Sequence, residues 1–268
     1  MSGDLEAVVE RVSASRRYRD VDAALVRRLA SEELPRARTT EDAAKRVKRR
    51  LHQAVGAFVR GGASIEALRS AWTGDLADAR FREACVRAMA GHASTAERSP
   101  SLDAFFQPIW AAVGGPPASV LDLGCGLGPL ALPWMGLDRT APYRAVDVDR
   151  GALQTVDAFL DLVGQPHEVV ERDLVAEIEP APADVALLLK LVTTLDRQDP
   201  AAAARLIGEL RVRHAVVSFT ARSLGGRSRG MERTYRQRIE NLATELAIRQ
   251  LVEASVANEL VFVLTLHG

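Results

Sequence analysis

The feature that most constrains this chain is the decapeptide Val-Leu-Asp-Leu-Gly-Cys-Gly-Leu-Gly-Pro at 120–129. Val120, Leu121 and Leu123 read as a short buried strand, and Gly124, Gly126 and Gly128 follow it before a helical stretch. Glycines in a strand-to-helix turn let bare backbone approach a ligand where a side chain would collide. The turn is therefore of the nucleotide type, and it demands an α/β sheet to carry it. The dinucleotide fingerprint needs its third glycine three residues after the second, but here it comes two residues after, and Pro129 holds the fingerprint position.

The rest of the C-terminal half agrees with such a sheet. Short apolar runs alternate with helical stretches, the pattern of parallel strands with crossover helices, and candidate strands fall at 119–123, 143–148, 167–171, 184–189 and 215–220. A sixth and a seventh are expected at 247–252 and 259–266. Before them, residues 4–112 carry apolar positions at helical spacing, such as Val8, Val12, Leu25, Val26 and Leu29. Thr39-Thr40-Glu41-Asp42 supplies an N-cap and first-turn acids for a helix running to about Val59, with Gly61-Gly62 as its stop. Gly114-Gly115-Pro116-Pro117 reads as a boundary, so the expected domains are a helical unit at 1–112 and an α/β unit at 113–268.

At 47% apolar and 26% charged, 268 residues can bury a substantial core. The N-terminus carries acids among its apolar residues, and no apolar run approaches the ~18 residues that span a bilayer, so a soluble, cytoplasmic protein is expected. Cys85 and Cys125 form neither a disulfide framework nor a zinc-ligand set, and no metal is expected. Formal net charge is zero, which hides segregation. Residues 1–60 hold 14 Lys/Arg against 9 Asp/Glu, and residues 211–238 hold 8 Arg against the single acid Glu232.

With Asp122 two residues before Gly124, the loop resembles motif I of the class I S-adenosylmethionine-dependent methyltransferases. That resemblance implies a seven-stranded, mostly parallel Rossmann-like sheet. It also implies that Asp122, Gly124, Cys125 and Gly126 surround the methionine end of the cofactor, whose ammonium and sulfonium favour carboxylate and carbonyl oxygens. An acid about 20 residues beyond the glycines is the usual ribose ligand of doubly wound folds. Asp147 lies 21 residues after Gly126, and Asp149 is the alternative, with a second explanation as a helix N-cap. Asp173 stands where the resembled family reads the adenine amino group, although it too could be an N-cap, and Leu174 and Leu189 complete the expected cofactor set.

The residues also limit the reaction. Methylation of a pyrimidine C5 needs a cysteine nucleophile, and the exocyclic-amine enzymes carry an Asn/Asp-Pro-Pro-aromatic loop after the fourth strand. Here that strand runs into Leu189-Lys190-Leu191-Val192-Thr193-Thr194, and neither cysteine follows a later strand. A ring nitrogen such as guanine N7 needs no general base, only in-line placement. The basic stretch after the fifth strand lies at the carboxyl edge of the sheet, where a polyanion could meet the cofactor. There Arg222, Arg227 and Arg229 suit phosphate pairing and base stacking. Lys45, Arg46, Lys48, Arg49 and Arg50 suit phosphate contacts from a separate helical module.

Taken together, several stretches resemble a narrower family, the aminoglycoside-resistance 16S rRNA methyltransferases of actinobacterial producers and resistant pathogens. They are Ser15-Arg16-Arg17-Tyr18, the basic run ending Leu51-His52, Gly91-His92-Ala93-Ser94-Thr95-Ala96-Glu97-Arg98, Cys125-Gly126-Leu127, residues 131–137, Leu187-Leu188-Leu189-Lys190, residues 223–231 and Asn258-Glu259-Leu260. The resemblance spans nearly the whole chain. It implies N7 methylation of guanosine 1405 (reference ribosomal numbering) in the assembled 30S subunit, by a monomer that yields S-adenosylhomocysteine and confers aminoglycoside resistance. It further implies that Arg98 clamps the cofactor carboxylate, that Lys190, Arg227 and Met231 position the target base, and that His52 docks on rRNA beside residues 45–50; for His52 a satisfied helix histidine is the plainer reading. Gly128, Thr193-Thr194 and Arg222 depart from the family's usual Asn, Pro-Cys and Lys, marking a divergent member. Two other readings compete. A natural-product methyltransferase with a helical lid leaves the segregated arginines unexplained, and a non-catalytic rRNA assembly factor would have no need of an intact glycine loop.

Overall fold

The computed structural model describes residues 2–56, 64–178, 181–220, 228–256 and 258–266. Seven strands form one sheet in the order β3-β2-β1-β4-β5-β7-β6. The strands are β1 (Val120–Leu123), β2 (Tyr143–Asp147), β3 (His167–Glu171), β4 (Ala183–Leu189), β5 (Val212–Thr220), β6 (Gln250–Ala254) and β7 (Glu259–Thr265). The first five pair in parallel and β7 runs antiparallel to both neighbours. This is the expected α/β architecture, and the chain order reverses at β1, between β2 and β4.

Five of the seven strands start within one residue of their expected positions, β5 begins three residues early at Val212, and the sixth is displaced at both ends. It begins at Gln250, three residues later than the expected 247, because the preceding helix claims that stretch. That helix, α12 (Ser228–Glu245), ends with Ala247 in the left-handed region (φ 50) and Ile248 N–H donating to the Ala243 carbonyl, a six-residue closure of Schellman type. The third helix also differs from expectation. Thr39 caps α3 (Thr40–Leu51) by accepting from Asp42 N–H, as its sequence suggests. The α-helix then ends at Leu51 and passes into a π-helical turn, His52–Gly56. The expected stop at Gly61-Gly62 lies outside the described residues.

Period-two alternation along the strands divides the core into two layers. Val120, Tyr143, Ala145, Val185, Leu187 and Val216 face a cluster with α4 (Ile65–Ala71), α5 (Ala79–Met89), α7 (Leu102–Val113) and α9 (Arg150–Val163). Leu121, Leu123, Val146, Ala186, Leu188 and Val217 face α10 (Val192–Asp196), α11 (Ala202–Glu209) and α12. A third cluster, with Val8, Val12, Leu25, Val26, Leu29, Val47 and Leu51, joins α1 (Ser2–Ser13), α2 (Ala23–Glu33) and α3. This three-helix unit meets the sheet at the end of β2, where Asp22 N–H donates to the Val148 carbonyl at 2.8 Å and Arg150 N–H to the Asp20 carbonyl at 2.8 Å. Helix α6 (Ala93–Arg98) lies in the chain between α5 and α7. Cys85 and Cys125 are buried, free thiols. Among the described residues no helix is long and apolar enough to cross a membrane, and no group of three or more His, Cys, Asp or Glu could hold a metal ion.

Candidate active site and cofactor cleft

A cleft opens at the carboxyl ends of the central strands, where ligands of open α/β folds bind. Its wall includes Gly124 after β1, Asp147, Val148 and Asp149 at the end of β2, and Asp173, Leu174 and Val175 after β3. Leu189, Lys190 and Leu191 follow from β4, with Leu195 and Gln198 beyond. The remaining wall comes from the helices: Leu25 of α2, Ala54 and Val55 of the π turn, and His92 and Ser94 at the start of α6.

The glycine loop is held tightly beneath this cleft. Gly124 (φ 63) and Gly126 (φ 50) occupy the left-handed region. A Cβ on Gly124 would come within 2.7 Å of Leu191 Cδ1, and one on Gly126 within 2.9 Å of His92 Cε1. Asp147 accepts from three backbone donors, Gly126 N–H at 2.8 Å, Val148 N–H at 2.7 Å and Asp149 N–H at 2.9 Å. Burial nevertheless raises its carboxyl above the ordinary value. Asp149 both lines the cleft and caps α9 through Ala152 N–H, so the ribose role expected of one of these two acids could be served by either.

Asp122 does not line the cleft. It lies buried under the loop, accepts the Tyr143 hydroxyl at 2.7 Å, and is pushed up to about 7 by that burial, with the nearby charge of Arg98 opposing the rise. His92 is pushed down to about 4, again mainly by burial. Its imidazole contacts the Ser94 hydroxyl at 2.9 Å.

Lys190, at the end of β4, has a positive φ of 62. For a non-glycine residue this backbone costs about 1–2 kcal/mol and is retained only where surroundings enforce it. Those surroundings are specific. Lys190 N–H donates to Ser218 at 3.1 Å, and its Nζ reaches the Ser94 carbonyl at 3.0 Å, Glu97 at 2.8 Å and Glu259 at 3.3 Å. Arg98 pairs with both oxygens of Glu259, at 3.0 and 3.2 Å, and stacks on Phe105 with its guanidinium carbon 4.5 Å from the ring centroid. Burial alone would raise the Glu259 carboxyl. The charges of Arg98 and Lys190, with hydrogen bonds from Arg98 and Ser218, outweigh that effect and hold it below its ordinary value. The guanidinium expected to clamp a cofactor carboxylate is thus bound to a carboxylate of the chain itself, next to the cleft.

Of the expected cofactor residues, Gly124, Asp147, Asp173, Leu174 and Leu189 line the cleft, Cys125 and Gly126 belong to the loop beside it, and Asp122 lies on β1 beneath that loop. Lys190 joins them, and Met231 lies half-buried in the first turns of α12. Arg222 and Arg227, and the side chain of Arg229, lie outside the described residues. The basic helix is less uniform than its sequence suggests. Lys45 pairs with Glu41, Arg46 with Asp42, and Arg50 with Glu32 and Glu33. Lys48 and Arg49 have no acidic partner among the described residues. His52 is exposed, its Nδ1 2.9 Å from Arg17 Nη2.

The sequence assigns no site role to Arg28, Gln198 or Leu25, none of which falls inside a motif. His92, Glu97 and Glu259 stood inside recognised stretches, and an acid or a histidine next to a landmark was the one available signal.

The cleft fits S-adenosylmethionine. Its acids suit a cationic ligand rich in hydrogen-bond donors, its Leu and Val side chains suit a flat heterocycle, and the glycine loop packs against Leu191 and His92 of its wall too closely to admit a Cβ. Comparison with known proteins agrees. The family described as "Ribosomal RNA methyltransferase (FmrO)" matches residues 14–263. A "16S rRNA (guanine(1405)-N(7))-methyltransferase" of Micromonospora echinospora is 39% identical over 267 residues, covering 97% of this chain and 96% of that protein. A protein of the same name from Frankia casuarinae is 41% identical over 266 residues, covering 97% of this chain and 93% of that one. Among solved structures, the 16S rRNA methyltransferase RmtF in complex with S-adenosyl-L-homocysteine superposes with a TM-score of 0.83 at 33% identity, covering 99% of both chains.

Proposed function

The chain belongs to the FmrO family of ribosomal RNA methyltransferases, and from that premise we propose that it transfers a methyl group from S-adenosylmethionine to N7 of guanosine 1405 in 16S rRNA. The observation that carries this reading is the near full-length similarity to proteins named for that reaction, over a chain whose cleft has the cofactor chemistry the reaction needs. When bound, S-adenosylmethionine supplies an electrophilic methyl on a sulfonium. The protein's part is positional, because guanine N7 already presents its lone pair and no proton need be removed first. Asp147 or Asp149 would hold the ribose, Asp173 the base, and the loop from Asp122 through Cys125 to Gly126 the methionine end. Arg98 would clamp the cofactor carboxylate at the cost of its present pair with Glu259.

The target base would be placed by Lys190, Arg227 and Met231, with Arg222 and Arg229 on the surrounding phosphates. In the helical unit at 1–112, Lys48 and Arg49 have the ammonium and guanidinium freest for phosphate. Arg46, Arg50, Lys45 and His52 would add contacts at the cost of their present partners. The methyltransferase unit would be 113–268, the natural substrate the assembled 30S subunit, the working form a cytoplasmic monomer, and the biological result resistance to 4,6-disubstituted deoxystreptamine aminoglycosides.

The test is to incubate the protein and labelled cofactor with intact 30S subunits, naked 16S rRNA and a small-molecule panel, then map modification by primer extension after borohydride and aniline. Label at guanosine 1405 of intact subunits is expected. Label on a small molecule alone, or none on intact subunits, would overturn the reading. Arg227→Ala should nearly abolish modification while cofactor affinity, measured by calorimetry, stays close to that of the unaltered protein.

A further inference from the structure

Asp173 follows β3 and lines the cleft beside Leu174 and Val175. Arg28, 145 residues earlier on α2, grips both of its oxygens: Nε donates to Oδ2 at 2.6 Å and Nη2 to Oδ1 at 3.2 Å. The same guanidinium donates to Gln198 Oε1 at 2.8 Å, and Gln198 lines the same cleft. Glu32 Oε1, 3.1 Å from Nη1, holds the arginine from its other side. The side chains of Arg28 and Asp173 are 17% and 4% exposed, so solvent competes weakly for these bonds.

We propose that Arg28 is a positioning residue that sets the hydrogen-bond polarity of the base-binding end of the cofactor cleft, acting through Asp173 and Gln198. The inference rests on the reading of the cleft as an S-adenosylmethionine site. A guanidinium only donates. It therefore takes the Gln198 carbonyl oxygen for itself and turns the amide NH2 away, where it lies 3.4 Å from the Thr194 carbonyl with no partner for its second hydrogen among the described residues. A carboxylate offers about four acceptor sites. On Asp173 two are filled by Arg28 and one by Val175 N–H at 3.1 Å, which leaves an acceptor for a ligand. One acceptor and one donor, fixed in one apolar cleft, complement a heterocycle that presents an exocyclic amine beside an unprotonated ring nitrogen. A 6-oxo purine has an oxygen and an N–H at those places and reverses both. The helical unit, not the sheet, would thus supply the group that makes the cleft selective for adenine.

Calorimetric affinities for S-adenosylhomocysteine and its 6-oxo analogue S-inosylhomocysteine, on the full chain, test this. The unaltered protein should prefer the adenine compound by at least about tenfold, and Arg28→Met, which keeps the aliphatic stem, should bring the two within about threefold, mainly by weakening the adenine compound. Should Arg28→Met fail to fold, as judged by circular dichroism, Gln198→Leu carries the test and should cut the preference at least threefold. A preference left intact in the variant, or absent from the unaltered protein, overturns the role of Arg28 alone. Failure of the unaltered protein to bind either compound overturns the cofactor reading and this inference with it.

Discussion

Asp122 and Asp147 illustrate how single side chains organise the cleft without touching its surface equally. Asp147 ties together the loop after β1 and the turn after β2 by accepting three backbone N–H groups. Asp147→Ala leaves those donors without their acceptor, and cofactor affinity should fall roughly 10- to 100-fold, a loss readable by titration calorimetry with S-adenosylhomocysteine. Asp122 acts from below and is pushed up to about 7 by burial. A carboxyl raised on folding stabilises the fold fully below its unfolded value near 4, and that contribution is lost as pH climbs through the folded value near 7. Asp147 and Asp149, also raised, add in the same direction. Asp122 should therefore contribute a loss on the order of 2–4 kcal/mol between pH 5 and pH 8, opposed up to about pH 6.5 by His92, whose lowered value favours the fold as pH rises, and Asp122→Asn should make the stability rise more, or fall less, over that range in urea titrations. A pH dependence left unchanged by Asp122→Asn would contradict the assignment.

At the scale of elements, α3 shows that a run of basic residues is not a uniform surface. Arg50 bridges to Glu32 at 2.5 Å and Glu33 at 3.2 Å, fastening α3 to α2, whereas Lys48 and Arg49 carry no such bond among the described residues. Arg50→Ala should lower stability by about 1 kcal/mol, seen in chemical denaturation. Arg49→Ala should leave stability unchanged, weaken association with 30S subunits, and reduce the slope of log K against log salt by about 1. Equal effects of the two substitutions on stability would refute this division. The buried group between α6, β4 and β7 behaves differently. Glu259→Gln leaves Arg98 and Lys190 buried without their shared carboxylate, and a destabilisation of about 3–5 kcal/mol is expected by denaturant titration.

Over the whole molecule, the three-helix unit α1–α3 and the sheet enclose the cleft together, since Leu25, Ala54 and Val55 form part of its wall and Arg28 bonds to Asp173. Ligand binding should consequently order both units. With S-adenosylhomocysteine at 100 times its Kd the fold gains ~2.7 kcal/mol, a rise of roughly 5–10 °C in melting temperature. Backbone amides of α2 should show slower hydrogen exchange in that complex. Protection confined to the loop after β1 and to β2 would mean that the helical unit takes no part.

How much of this was legible follows from the range over which each feature is encoded. The glycine turn, the alternating strands, the Thr39 cap and the acid at Asp147 are each specified within one turn or strand, where sterics and backbone hydrogen bonding act between near neighbours. The sequence by itself therefore determined the α/β sheet, the loop at its carboxyl edge and the cofactor class, and its distributed landmarks pointed to the rRNA methyltransferases. The start of β6 was misplaced because residues 247–249 suit a strand as well as a helix end, and only the closure between Ile248 and Ala243 chose. Tertiary structure alone decided that Arg28 meets Asp173 across 145 residues, that Arg98 meets Glu259 across 161, and that Arg50 of α3 pairs with Glu32 and Glu33 of α2. Those pairings have no local signature, since a charged side chain reads the same in sequence whether it faces water or an opposite charge in a buried site. The dry, low-dielectric surroundings that strengthen such a pair and make it costly to break exist only once the chain has closed around it.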